Sequence, residues 1–277
     1  MRRPVLAVIG LVALAGCSGQ PSSSAAPTTA VTFSETATSG PATVPTAVPT
    51  TVPTPTTTVP PAPPRVVVLD PGHNGANAAN PAAINRPVPA GRGRTKPCNT
   101  TGTATNDGFP EHAFTWDVAV RVRDQLTAQG VQVVMTRPDD NGVGPCVDER
   151  AGVGNRSGAA AVVSIHADGS TNSSAHGFHI AYSAPPLNDA QGEPSLRLAA
   201  TMRDTMVGAG LATSTYIGSA GLSPRDDLGG LNLSERPAVL VECGNMRNAA
   251  EAAAFTSPDG RQRYAAAITT GILAYLG

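Results

Sequence analysis

The stretch "RVVVLDPGHNG", residues 65–75, decides the fold. Val66 to Leu69 read as a fully buried strand, because consecutive aliphatics leave no polar face for solvent. Pro71 and Gly72 then force a turn at its end. His73 follows that turn and is well placed for chemistry, provided that the chain brings other reactive groups to the same edge.

Working outward toward the C-terminus, strand and helix signals alternate. Asn74 to Pro110 is a long polar, Gly-rich stretch, and a loop of that length inside a domain is usually functional or mobile. Glu111 to Gln129 spaces Phe114, Val118, Val122 and Leu126 for one helix face, closed by Gly130. "VQVVMTR" follows as a strand, Asp148 to Gly158 as a short helix, "AAVVSIHAD" as a third strand and "GFHIAYS" as a fourth. Ser195 to Val207 is helical, "PAVLVECG" (Pro237 to Gly244) is a last buried strand, and Ala-rich helices from Asn248 finish the chain. This order predicts an α/β fold: a single domain with a mostly parallel, mixed central sheet flanked by helices on both faces.

Toward the N-terminus the composition changes twice. Residues 1–16 carry Arg2 and Arg3 and an apolar run from Val5 to Ala15, too short for a mature membrane span and fitting a signal-peptide core. The run ends in "LAGC", which resembles the lipobox of bacterial lipoproteins and marks Cys17 as a lipidation site; the alternative is an ordinary secretory signal. Residues 17–64 are dominated by Thr, Pro, Ala and Ser, with Glu35 as the only charge. Such a segment cannot bury enough apolar surface to offset chain entropy and is expected to be a disordered, semi-rigid tether. Residues 65–277 are long enough for one domain with a sizeable core. Export is implied either way, and on the lipobox reading the domain is held at the outer face of the cytoplasmic membrane or cell envelope through the lipid anchor.

In an exported domain, Cys98 and Cys146, both in Gly- and Pro-rich loops, are the natural disulfide pair; two free thiols are the alternative. Lys and Arg number 19 against 20 Asp and Glu, for a net charge of −1. A nucleic-acid footprint would need a basic surplus, so that partner class is not expected. "GVGNRSG" at Gly152 to Gly158 imitates a dinucleotide fingerprint but ends a helix where the fingerprint should open one, and no G-x-S-x-G elbow is present.

Parallel strands present their C-terminal ends on one edge, where ligands gather. His73 follows the first strand, His166 ends the third, Glu242 is near the end of the last, and Glu111 opens the helix leading out of the long loop. Two imidazoles and a carboxylate make the ligand set of a catalytic zinc. Each residue also has a plainer reading: hydrogen-bonding turn histidines, and a helix-entry carboxylate meeting the macrodipole. Glu242 is harder to explain away, since a carboxylate among Val239, Leu240, Val241 and Cys243 is costly to bury without a partner. His112 could replace Glu111 as the third ligand. His176 and His179 read as surface or groove residues, and Asp70 as a residue that fixes the turn or orients His73.

With these residues in view, the chain from Arg65 to Gly277 resembles the zinc-dependent N-acetylmuramoyl-L-alanine amidases (the Amidase_3 type). "LDPGH", the Glu111 helix entry, "VQVVMTR", "AGVGN", "SIHAD", "GFHIAYS", "LGGLN" and "PAVLVECGN" occur in that family's order and spacing. The resemblance implies one zinc ion held by His73, Glu111 and His166, with Glu242 as the catalytic acid/base. It also implies cleavage, by zinc-activated water, of the amide between N-acetylmuramic acid and the L-alanine of the peptidoglycan stem peptide. Peptidoglycan or its muropeptide fragments would be the substrate, and the protein would act as a monomer. Asp168 stands where Asn is common, and "GNMRN" departs from the usual "GF-x-S/T-N", which puts substrate contacts rather than the reaction in doubt. Two rivals remain: a non-catalytic or autoinhibited peptidoglycan-binding protein, and a cell-wall cysteine peptidase using Cys243, which lies inside an apolar strand where a thiol is expected to be inert.

Overall fold

Apolar runs of four or more residues need cover on both faces, and the domain is built around that requirement. The computed structural model describes residues 65–277. The signal segment, Cys17 and the tether expected for residues 1–64 lie outside the described residues. In chain order the elements are β1 (Val66–Pro71), α1 (Pro81–Ile84), β2 (Pro87–Pro89), β3 (Thr95–Pro97), α2 (Glu111–Ala128), β4 (Gln132–Met135), α3 (Val147–Ser157) and β5 (Ala161–Asp168). They continue with β6 (His179–Ser183), α4 (Glu193–Gly208), β7 (Leu222–Arg225), α5 (Gly229–Asn232), β8 (Ala238–Asn245), α6 (Ala249–Thr256) and α7 (Pro258–Leu276).

Six strands form one sheet in the order β4-β1-β5-β8-β6-β7. The first four are mutually parallel, whereas β6 runs antiparallel to β8 and β7 runs parallel to β6. The mixed, mostly parallel α/β sheet is as expected; β7 is an added edge strand that the residue pattern did not announce. Alternate side chains divide between two cores. Val67, Leu69, Val163, Ile165, Val239 and Val241 pack beneath α2, α4 and α7. Val68, Val162, Ala181 and Ala238 lie on the other face, with Leu231 of α5 and α3 beside them. His166, Glu242 and His179 belong to this second, more thinly covered face, and the site opens there.

The long stretch after β1 is a folded element. It contains α1 and the antiparallel hairpin β2–β3, and a disulfide joins Cys98 to Cys146, with Val88 and Val147 packed around it. The hairpin turn is fastened across the thin face: Arg92 Nε donates to Asn232 Oδ1 at 3.1 Å and its Nη2 to Ser183 Oγ at 3.1 Å, while Asn232 Nδ2 donates to Ala90 O at 3.0 Å.

Candidate metal centre and active site

The end of β1 is shaped by buried charge. Asp70 accepts from Thr136 Oγ1, Ser164 Oγ and Arg150 Nη1, each at 2.7 Å. Burial works to raise this carboxyl, but the Arg150 charge and the three hydrogen bonds prevail and hold it at about 2. Arg150 also donates to Pro71 O and His73 O, both at 2.7 Å, and to Pro145 O at 2.9 Å. Asp70 therefore fixes the turn through Arg150 and does not touch the His73 ring. This clamp holds His73 at a φ of +61°, in the left-handed region, where an L-residue is strained by about 1 to 2 kcal/mol. The strain aims the ring inward, and Thr100 fixes it, with its carbonyl oxygen 3.1 Å from His73 Nδ1 and its hydroxyl at 3.2 Å.

Glu111 begins α2 but is only 4% exposed, so it is no surface helix-entry carboxylate. Its Oε2 accepts from Thr103 N at 3.0 Å and its Oε1 from Ala167 N at 3.1 Å. The same Oε1 lies 3.1 Å from His73 Nε2 and 3.0 Å from His166 Nδ1. Burial alone would raise the Glu111 carboxyl; the charges of and hydrogen bonds from the two imidazoles overcome it and lower it below the usual carboxylate range. Burial likewise works to lower His73, and Glu111 reverses it, leaving the imidazole raised.

One atom from each of His73, Glu111 and His166 falls within 4.8 Å of the others. Tetrahedral coordination at about 2 Å separates neighbouring ligand atoms by about 3.3 Å, close to the spacings from Glu111 to each ring, and two imidazoles with one carboxylate is a donor set suited to zinc. His112 is directed elsewhere, its Nδ1 2.7 Å from Asp140 Oδ2.

Glu242 faces the same groove as these three, with Thr100, Thr103, Asp168 and Gly169. It pairs in register with His166 on β5 and with His179 on β6. Its Oε2 is buried without a hydrogen-bond partner among the described residues. Burial pushes this carboxyl well above the usual range, and the charges of Glu111 and Asp168 push the same way. A cation beside it acts in the opposite sense, so an acidic groove with a partnerless carboxylate is itself a fit for a metal ion. Cys243 points into the opposite core, 1% exposed, and burial followed by the Glu242 charge raises its thiol well above the ordinary value, which makes it a poor nucleophile.

The sequence reading left one feature undecided and missed another. His179, expected on the surface or in the groove, is buried opposite Glu242, because β6 runs against β8 and brings its N-terminal residue to the site edge. Tyr216 donates its hydroxyl to Asp168 Oδ2 at 3.0 Å, closing that side of the groove. The apolar–polar order of "GFHIAYS" carries a faint signal of the first; the second arises from a loop distant in sequence and has none.

Comparison with known proteins agrees with this fold. A family model described as N-acetylmuramoyl-L-alanine amidase matches residues 67–274. An N-acetylmuramoyl-L-alanine amidase of Mycobacterium tuberculosis is 51% identical over 211 residues, covering 76% of this chain and 86% of that protein. The crystal structure of the amidase Ami1 of Mycobacterium abscessus aligns with a TM-score of 0.74 and 57% identity, over 77% of this chain and 99% of the other. Ami1 of Mycobacterium smegmatis aligns with a TM-score of 0.75 and 55% identity, over 77% and 97%. Matched by the family model over residues 67–274 and 51% identical to an amidase covered over 86% of its length, the chain belongs to the N-acetylmuramoyl-L-alanine amidase family.

Proposed function

We propose that the domain is a zinc-dependent peptidoglycan amidase that hydrolyses the amide between the lactyl group of N-acetylmuramic acid and the L-alanine of the stem peptide. The observation that carries this reading is the partnerless, buried Glu242 carboxylate facing the same groove as the cluster of His73, Glu111 and His166. Those three residues would hold the zinc. When bound in such a set, zinc lowers the pKa of a water toward neutrality and polarises a carbonyl. Glu242 takes the proton from the attacking water and returns it to the departing amine of alanine, which leaves poorly unless protonated. General acid/base steps of this kind contribute about 100- to 10,000-fold in rate.

Glu111 keeps its place because Thr103 N and Ala167 N grip its two oxygens, and His73 because Thr100 fixes its second ring nitrogen. These contacts orient the ligands and limit their freedom to leave. An adjoining cleft, lined by Lys96, Val147 and Leu228 and sharing His73 and His166 with the groove, would take the glycan or peptide flanking the bond. We further infer that residues 1–16 are removed on export and that a lipid on Cys17 places the domain near the wall, with residues 18–64 as spacer.

Mass spectrometry of muramyl-peptide digests tests the reaction. Zinc-loaded protein should release stem peptides with a free L-alanine amine, and zinc-stripped protein should not. Cleavage at any other bond, or equal cleavage without metal, contradicts the proposal.

A further inference from the structure

His179 is a buried imidazole that the proposed reaction leaves without a task. It is 1% exposed and lies directly opposite Glu242 in the β6–β8 register. Opposed residues on neighbouring strands project to one face with Cβ atoms roughly 4.5 to 5.5 Å apart, so His166, Glu242 and His179 form a single row across β5, β8 and β6. His179 Nδ1 and Glu242 Oε2 are both buried, and neither has a hydrogen-bond partner among the described residues. Two adjacent residues thus each hold an unused polar atom.

Two neighbouring donors are engaged elsewhere. Arg225 gives two hydrogen bonds of 2.7 Å to Asp227, and the Tyr216 hydroxyl is taken by Asp168. The Tyr216 ring walls His179 edge-on, with centroids 6.5 Å apart. Burial lowers the His179 imidazole to about 4, Asp168 opposing and Arg225 adding to the effect, so near neutral pH the ring is uncharged and carries one N–H donor.

We propose that His179 is a positioning residue for Glu242, its imidazole N–H holding the sealed carboxylate oxygen, directly or across one water, so that the other oxygen is presented to the scissile amide. The inference rests on the reading of Glu242 as acid/base. An uncharged donor suits the task. A cation in its place would lower the basicity that Glu242 needs, whereas a neutral hydrogen bond fixes the carboxylate and satisfies a buried oxygen whose desolvation is otherwise uncompensated.

The test compares H179F and H179N, alone and combined with E242Q, in zinc-loaded protein. Phe fills the ring volume without a donor; Asn gives up volume but keeps an N–H near the Nδ1 position. Positioning predicts that H179F lowers kcat about 10- to 100-fold, with KM within about twofold and zinc still bound, and that H179N recovers at least about tenfold of that loss. In the E242Q background H179F should add nothing, because the group it positions is gone. Wild-type kcat in H179F, or an equal loss in both variants, overturns the proposal, as does a loss that multiplies with that of E242Q. Normal turnover of E242Q alone would instead sink the reading of Glu242, so the two failures are distinguishable.

Discussion

Replacing Asp70 by Asn tests the clamp beneath the site. The substitution preserves size and most hydrogen bonds: the remaining oxygen can still accept from Thr136 and Arg150, and Ser164 Oγ can turn to accept from the new amide. What is lost is the charge opposite Arg150, whose side chain is 4% exposed. The fall of the Asp70 carboxyl from its ordinary 3.8 to about 2 corresponds to about 2 to 3 kcal/mol favouring the ionised form in the folded state. Breaking a buried pair typically costs about 3 to 5 kcal/mol, so a loss of about 3 kcal/mol is expected near pH 7. In a domain of this size that lowers Tm by roughly 6 to 12 °C.

The pH dependence follows from the sign of the shift. A depressed carboxyl stabilises the fold fully above its unfolded value near 3.8, and this contribution fades as pH falls through about 2. The gap between wild type and D70N, measured by urea unfolding of zinc-stripped protein, should therefore be widest above about pH 5 and close toward pH 2. Removing the metal keeps any change in zinc affinity through His73 out of the difference. A gap under about 0.5 kcal/mol at pH 7, or one that does not narrow in acid, refutes the account of the clamp.

Three further outcomes are expected. A Cβ on Gly72 would lie 2.2 Å from His166 Cε1, so G72A should displace that ring and weaken zinc binding by about 10-fold or more, read by metal competition; wild-type affinity contradicts it. Cys98 and Cys146 are 48 residues apart, and opening that loop in C98A/C146A should cost about 4 kcal/mol, a fall in Tm of roughly 8 to 16 °C, whereas a change under about 2 °C removes the disulfide from the stability account. C17A should move the protein from the membrane to the soluble fraction or stall its processing, and wild-type protein found wholly soluble favours an ordinary signal.

Much of the architecture was readable because β1, β5 and β8 are aliphatic runs buried on both faces, and α2 repeats Phe114, Val118, Val122 and Leu126 on one face. His73 and His166 were legible by position at strand ends. Edge strand β7 was not: "LSPR" is short, contains Pro224 and has no alternation, and it exists because Leu222 to Arg225 pair with β6. The β2–β3 hairpin was hidden by Pro87, Pro89 and Pro97, since its stability comes from the disulfide and from contacts of Arg92 and Asn232 far away in sequence. The choice between surface and groove for His179 stayed open for a related reason, as strand direction is set by tertiary pairing and no local pattern records it.

The central claim is that Glu242 moves protons while His73, Glu111 and His166 hold the metal. The most direct measurement takes zinc stoichiometry and muramyl-peptide turnover on one sample of E242Q, which keeps the shape of the side chain but cannot accept a proton. One zinc per chain with turnover reduced about 100-fold or more is the predicted result. Near-normal turnover, or loss of the zinc, contradicts the claim: the first removes Glu242 from the reaction, and the second makes it a ligand.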